Sequence, residues 1–152
     1  MNSNFLHHLK LREGFEEKVY LDTLGKPTCG VGHLLTEEEN RKYRVGERVP
    51  IEILDIWLVQ DSNIAWRAAE EQARELGINS SSFVIALASV NFQLGTNWMR
   101  KFPSAYRALY DRDYDEAIRQ VSTGSGRNGQ SRWMEQTPVR VRDFVEAIEK
   151  LK

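Results

Sequence analysis

Three polar residues near the start of the chain, Glu13, Asp22 and Thr28, are of types that could share one acid–base reaction. Glu13 stands where a helix is expected to end, among carbonyls left without intrahelical partners, and a negative charge is disfavoured there. A carboxyl group so placed is suited to giving up a proton to a reacting atom, a contribution worth about 10²- to 10⁴-fold in rate. Asp22 precedes a turn. If Gly25 centres that turn, Asp22 and Thr28 fall opposite one another across a hairpin with their side chains on one face, and a carboxylate and a hydroxyl so placed can hold a water between them. A proton donor paired with a second, ionised carboxylate is the arrangement on which glycoside hydrolysis runs. Taken singly, each residue also has an ordinary reading: a charged side chain at a helix end, or a turn Asp and Thr satisfying local backbone groups.

Other chemistries are less well served. The run Gly30-Val31-Gly32-His33 lacks the full glycine pattern and downstream partner of a nucleotide-binding loop, so its glycines are expected to let a strand bend or a sugar approach the backbone. His7 and His8 are adjacent on a helix and point apart, and with Cys29 they make no zinc-site spacing. No Gly-x-Ser-x-Gly elbow occurs. We therefore expect no metal and no cofactor. His33 is expected to partner a carboxylate, and Trp57, Trp66, Trp98 and Trp133 to be core aromatics.

The elements that must position these residues follow from periodicity. Ser3 is placed to cap a short helix with Phe5, Leu6 and Leu9 on its apolar face, and Gly14 to stop it in a left-handed conformation just past Glu13. Val19 and Leu21 alternate with Tyr20 and Asp22, and turn residues 23–27 lead into a second strand, predicting a small antiparallel hairpin. Thr36 with Glu39 is a capping-box signature, and Pro50 suits a helix's first turn. From Ile51 to Leu76 apolar residues recur at three- and four-residue steps, predicting one long amphipathic helix or two collinear ones, ended by Gly77 and Asn79-Ser80. Beyond Ser82 the pattern is helical, broken by Gly95, Pro103, a Gly/Ser-rich surface loop over 122–131, and Thr137-Pro138 as cap and first-turn residue of a last helix.

Composition bounds the answer. With 152 residues, 41% of them hydrophobic, the chain suits one domain with a real core. Its single cysteine excludes an intramolecular disulfide and favours synthesis in a reducing cytosol. The first residues carry neither a basic leader nor an apolar run, so no signal peptide is expected. The longest apolar stretch, Phe83 to Val90, falls far short of the ~20 residues needed to cross a bilayer. Net charge is −1 but uneven: residues 1–96 hold 10 Lys/Arg against 14 Asp/Glu, and 97–152 hold 11 against 8. That excess would favour an acidic polymer such as a cell wall, or form a solvated mixed surface.

Read together, Glu13-Gly14, Tyr20-Leu21-Asp22 and Gly25-Lys26-Pro27-Thr28-Cys29-Gly30-Val31-Gly32-His33-Leu34-Leu35-Thr36 closely resemble the catalytic segment of the phage-type lysozymes, glycoside hydrolase family 24. Asn91-Phe92-Gln93-Leu94-Gly95, Ser131-Arg132-Trp133 and Gln136-Thr137-Pro138 extend the resemblance over most of the chain. It is nearest to the T-even coliphage members.

The resemblance implies an α+β, mostly helical, lysozyme-like fold. A small hairpin-bearing lobe over about residues 14–56 would be joined by a long helix, about 57–76, to a helical lobe of 1–13 with 77–152. It implies a muramidase or endolysin that hydrolyses the β-1,4 bond between N-acetylmuramic acid and N-acetylglucosamine in bacterial peptidoglycan. Glu13 would be the acid, and Asp22 and Thr28 would hold the attacking water, giving inversion. Leu34 and Phe92 would line the substrate cleft, and His33 would form an ion pair with Asp61. The enzyme would act as a monomer on the cell wall after synthesis in the host bacterial cytoplasm, binding no nucleic acid and inserting in no membrane. The stretch between His33 and Phe92 is shorter than in the T-even members, and residues 123–130 read as an insertion. The family's serine and asparagine substrate contacts fall nearest Ser104 or Ala105, and Gln120. Two rival readings stay open, a lytic transglycosylase releasing an anhydro sugar and a catalytically dead wall-binding module.

Overall fold

The computed structural model describes residues 3–152. Eleven elements follow in order among these residues: α1 (Ser3–Glu13), β1 (Glu16–Leu21), β2 (Pro27–Gly30), β3 (His33–Leu34), α2 (Glu37–Lys42), α3 (Ile51–Leu76), α4 (Ser81–Leu94), α5 (Pro103–Tyr110), α6 (Tyr114–Ser122), α7 (Arg132–Gln136) and α8 (Pro138–Glu149). Single 3₁₀ turns occur at Trp98–Arg100 and Arg127–Gly129. The fold is α+β and mostly helical, with one antiparallel sheet in the order β1-β2-β3. Two compact units divide the chain, one ending at Ile64 and the other running Ala65–Lys152, so the boundary falls inside the single 26-residue helix α3.

In the first unit, α1 ends at Glu13 and Gly14 follows with φ 70°, the left-handed stop that its lack of a Cβ permits. Ser3 is the first residue of α1 itself, and the position that would cap it lies outside the described residues. Phe5 and Leu9 are fully buried. The register differs from the expected one: Tyr20 pairs with Thr28 and Leu21 with Pro27, so Thr28 does not face Asp22 directly. The cause is the turn. Asp22 bonds through its backbone to Lys26, closing a three-residue loop about Leu24 rather than Gly25 and moving the pairs next to the turn by two, while an irregularity between Glu16 and Tyr20 shifts the pairing again, to Glu16 with Gly30. A third strand, too short to show any period in the sequence, adds the pairs Thr28–Leu34 and Cys29–His33.

Val19, Cys29, Val49, Leu54 and Trp57 form this unit's core, with Leu35, Tyr43 and Ile53 packed on it. Gly30 is required where β2 meets α3, because a Cβ there would lie 3.2 Å from Leu54 Cδ2 and φ is 66°. The helix α2 opens with the expected capping box, Thr36 Oγ1 accepting from the Glu39 N–H while the Glu39 carboxylate accepts from the Thr36 N–H.

In the second unit, α4 is apolar on most sides and buried, which accords with a hydrophobic run showing little amphipathicity. The rings of Phe83, Trp98 and Phe144 meet at 5.8–6.0 Å, and Trp133 packs between Phe102 and Phe144. Trp57, Trp98 and Trp133 are buried as expected, while Trp66 is only half-buried. Two buried amides, Gln72 and Asn91, bond each other in both directions at 3.1 and 3.0 Å, and Gln72 also donates to the Thr96 carbonyl. Thr137 precedes α8 but does not cap it through its side chain; its hydroxyl donates to the Trp133 carbonyl and accepts from Gln93. No helix among the described residues is long and apolar enough to cross a membrane.

Candidate active site

Glu13 is the last residue of α1, and its side chain is half-buried. Asp22 lies just past β1, where its carboxylate organises the turn: Oδ1 accepts the Leu24 N–H at 2.9 Å and the Lys26 N–H at 2.8 Å. Among the described residues no donor reaches Oδ2, so one oxygen is anchored and the other is available. Thr28 is 4% exposed and its hydroxyl donates to the Lys26 carbonyl at 3.0 Å. That bond commits the only hydroxyl proton, leaving Thr28 Oγ1 as an acceptor.

Strand pairing sets out the surroundings of these groups. Directly paired residues of antiparallel strands project to one face, so Tyr20, Thr28 and Leu34 form a row across all three strands. Asp22 shares that face by alternation with Tyr20. Leu34 is 51% exposed, a large apolar side chain left on a polar face. The sequence reading gave Tyr20 no role, although the strand period that places Asp22 places Tyr20 with it. Burial, followed by the nearby Glu16, Asp22, Cys29 and Glu13, pushes the Tyr20 phenol above its ordinary value.

His33 sits between two carboxylates. Its Nδ1 lies 2.6 Å from Asp61 Oδ2 and its Nε2 lies 2.9 Å from Glu39 Oε1, while its ring stacks on Trp57 at 4.3 Å. Burial works against a charged imidazole, but the hydrogen bonds and charges of Asp61 and Glu39 outweigh it, and the His33 pKa is raised. Both ring nitrogens facing carboxylates is the geometry of an imidazolium. Burial acts on Glu39 in the opposite sense to its hydrogen bonds with the Thr36 backbone and His33, which prevail and hold its pKa low. Glu39 was legible as a capping residue but not as the second partner of His33.

Phe92 lies half-buried on α4, in the other unit. That unit has its own cavity of about 320 Å³, lined by Phe102, Ser104, Ala105, Gln120, Gly124 and Trp133 among others. It brings together the positions nearest the family's serine and asparagine contacts, and the Gly/Ser-rich loop supplies part of its wall.

A long helix following a small sheet, with a glutamate ending the first helix and an aspartate–threonine turn on the sheet face, defines a lysozyme-like protein. The profile of the phage lysozyme family matches residues 10–134, and the chain belongs to that family. It is 27% identical over 145 residues to the peptidoglycan hydrolase gp36 of Pseudomonas phage phiKMV, covering 95% of this chain and 15% of that protein. It is 26% identical to the pre-baseplate central spike protein Gp5 of Enterobacteria phage T4, over 90% of this chain and 26% of that one. It is 25% identical to the probable T4-type lysozyme 2 of Dictyostelium discoideum, over 98% and 95%. The chain thus spans well under a third of the two phage relatives and nearly all of the amoebal one.

Proposed function

We propose that the chain is a muramidase that hydrolyses the β-1,4 bond between N-acetylmuramic acid and N-acetylglucosamine in bacterial peptidoglycan, with inversion. Glu13 donates its proton to the glycosidic oxygen as the C1–O bond breaks. A water attacks C1 from the opposite face, passing its proton to Asp22 Oδ2.

The observation that carries this reading is the pair of acceptors at the turn. Asp22 Oδ1 is held by two backbone N–H groups and the Thr28 proton is committed to Lys26, so Asp22 Oδ2 and Thr28 Oγ1 can each take one hydrogen of a shared water. A water bound through both hydrogens presents its lone pair outward, as an attacking nucleophile must. Leu34 and Phe92 are proposed to line the bound glycan, and His33 with Asp61 to hold the sheet on α3. The lobe boundaries implied by the resemblance, monomeric action and synthesis in the host cytoplasm belong to the same proposal.

The test is the configuration at the new reducing end, followed by NMR as soluble glycan strands are cut. The first product is expected to be the α-anomer; a β-anomer refutes inversion, and an anhydro sugar refutes hydrolysis. Glu13→Gln and Asp22→Asn are each expected to slow clearing of a cell-wall suspension by about 10²-fold or more while leaving the fold intact.

A further inference from the structure

The sheet face that carries Asp22 and Thr28 also carries a phenol, which the reaction above does not use. Tyr20 stands directly across from Thr28, at the end of the row that continues to Leu34. Its side chain is 38% exposed, and among the described residues its hydroxyl makes no hydrogen bond. Yet Glu13, Glu16 and Asp22 are all close enough to act on it electrostatically. Partial burial first, and then the charges of these carboxylates, keep the phenol protonated, so what it offers is a donor. A purely structural tyrosine would bury its ring or tie its hydroxyl to the protein. Tyr20 does neither.

We propose that Tyr20 is a substrate-contacting residue whose phenol O–H donates a hydrogen bond to an oxygen of the sugar lying over the Tyr20–Thr28–Leu34 row. This rests on the glycan-hydrolysing reading above. The donor meets the sugar before and during bond cleavage alike, so its contribution is to binding of the glycan rather than to the chemical step. The hydroxyl also fixes how far along the sheet the sugar can slide, because Thr28 and Leu34 are in line with it at strand spacing of ~4.7–4.9 Å.

The experiment compares the parent with Tyr20→Phe on soluble, uncrosslinked glycan strands, alongside Glu13→Gln and Asp22→Asn. Tyr20→Phe is expected to raise KM about 3- to 10-fold with kcat kept within twofold. Its thermal midpoint should match the parent, since the lost hydroxyl has no hydrogen-bond partner among the described residues. Unchanged KM and kcat, or a loss accompanied by a fall in thermal midpoint, overturns the proposal. If Glu13→Gln and Asp22→Asn are also as active as the parent, the reading of the site itself fails; if only those two are inactive and Tyr20→Phe is normal, the site stands and Tyr20 is no contact.

Discussion

At the scale of single residues, His33 is the group whose surroundings have the most direct consequence for pH. Its raised pKa means that its contribution to stability is complete below the ordinary histidine value of 6.5 and is lost as pH rises through the raised value. Glu39 behaves in the opposite sense: its lowered pKa gives a contribution complete above the ordinary 4.5 and lost as pH falls through the lowered value. The cluster therefore stabilises most between about pH 4.5 and 6.5. We expect Asp61→Asn to lower the thermal midpoint by several degrees near pH 5.5 and by clearly less near pH 9, on the basis of about 1.5–3 kcal/mol for a hydrogen bond to a charged group. Equal losses at both pH values would show that the His33 charge is not what Asp61 holds. The sequence offered His33 as the partner of a carboxylate, but Asp61 as that carboxylate only through family resemblance, since residues so far apart in the chain have no periodicity to join them. The turn at Asp22 illustrates the converse. Its residues were legible as a turn, but an aspartate that draws two backbone N–H groups onto its own carboxylate decides where the turn centres, and pattern alone does not report that.

At the scale of elements, local rules were most reliable where a side chain acts on its own backbone. The stop at Gly14, the capping box at Thr36 and the extent of α3 all follow from nearest-neighbour chemistry and were readable directly. The strand β3 was not, being a two-residue pairing that exists because β2 offers an edge. The helix α2 is six residues long and buries none of them, so its N-terminal cap carries an unusual share of its stability. Glu39 Oε1 accepts from the Thr36 N–H at 2.8 Å while also meeting His33 Nε2, which couples that cap to the histidine cluster. Thr36→Ala should cost about 1 kcal/mol, and Glu39→Gln should cost more because it weakens the box and the ion pair together. Urea unfolding at pH 6 measures both; a larger cost for Thr36→Ala would separate the two roles of Glu39. Gly30→Ala is expected to be worse than either, by at least 2 kcal/mol, since it adds a left-handed penalty to a contact against Leu54.

At the scale of the whole molecule, the question is whether two units with separate cores unfold separately. The first has Val19, Leu54 and Trp57 at its centre, the second Phe83, Leu87, Trp98 and Phe144. Both draw on α3: Leu54 and Trp57 are buried before the boundary, and Ala65, Ala69, Ala73 and Leu76 after it. Were one unit to melt alone, it would leave its half of α3 without tertiary packing. A free helical segment of some dozen residues is marginal in water even for good helix formers. Fraying would then run along the helix toward residues that the other unit has buried, including Gln72, whose amide pair with Asn91 would be left unsatisfied at a cost of about 1–3 kcal/mol per lost group. Melting of either unit thus removes support from the other through shared backbone. We therefore expect a single calorimetric transition, with Leu54→Ala and Leu87→Ala, one in each core, each lowering the same midpoint by the equivalent of about 2–5 kcal/mol. Two resolved transitions, each moved by only one of the substitutions, would mean that α3 breaks at the boundary and transmits nothing.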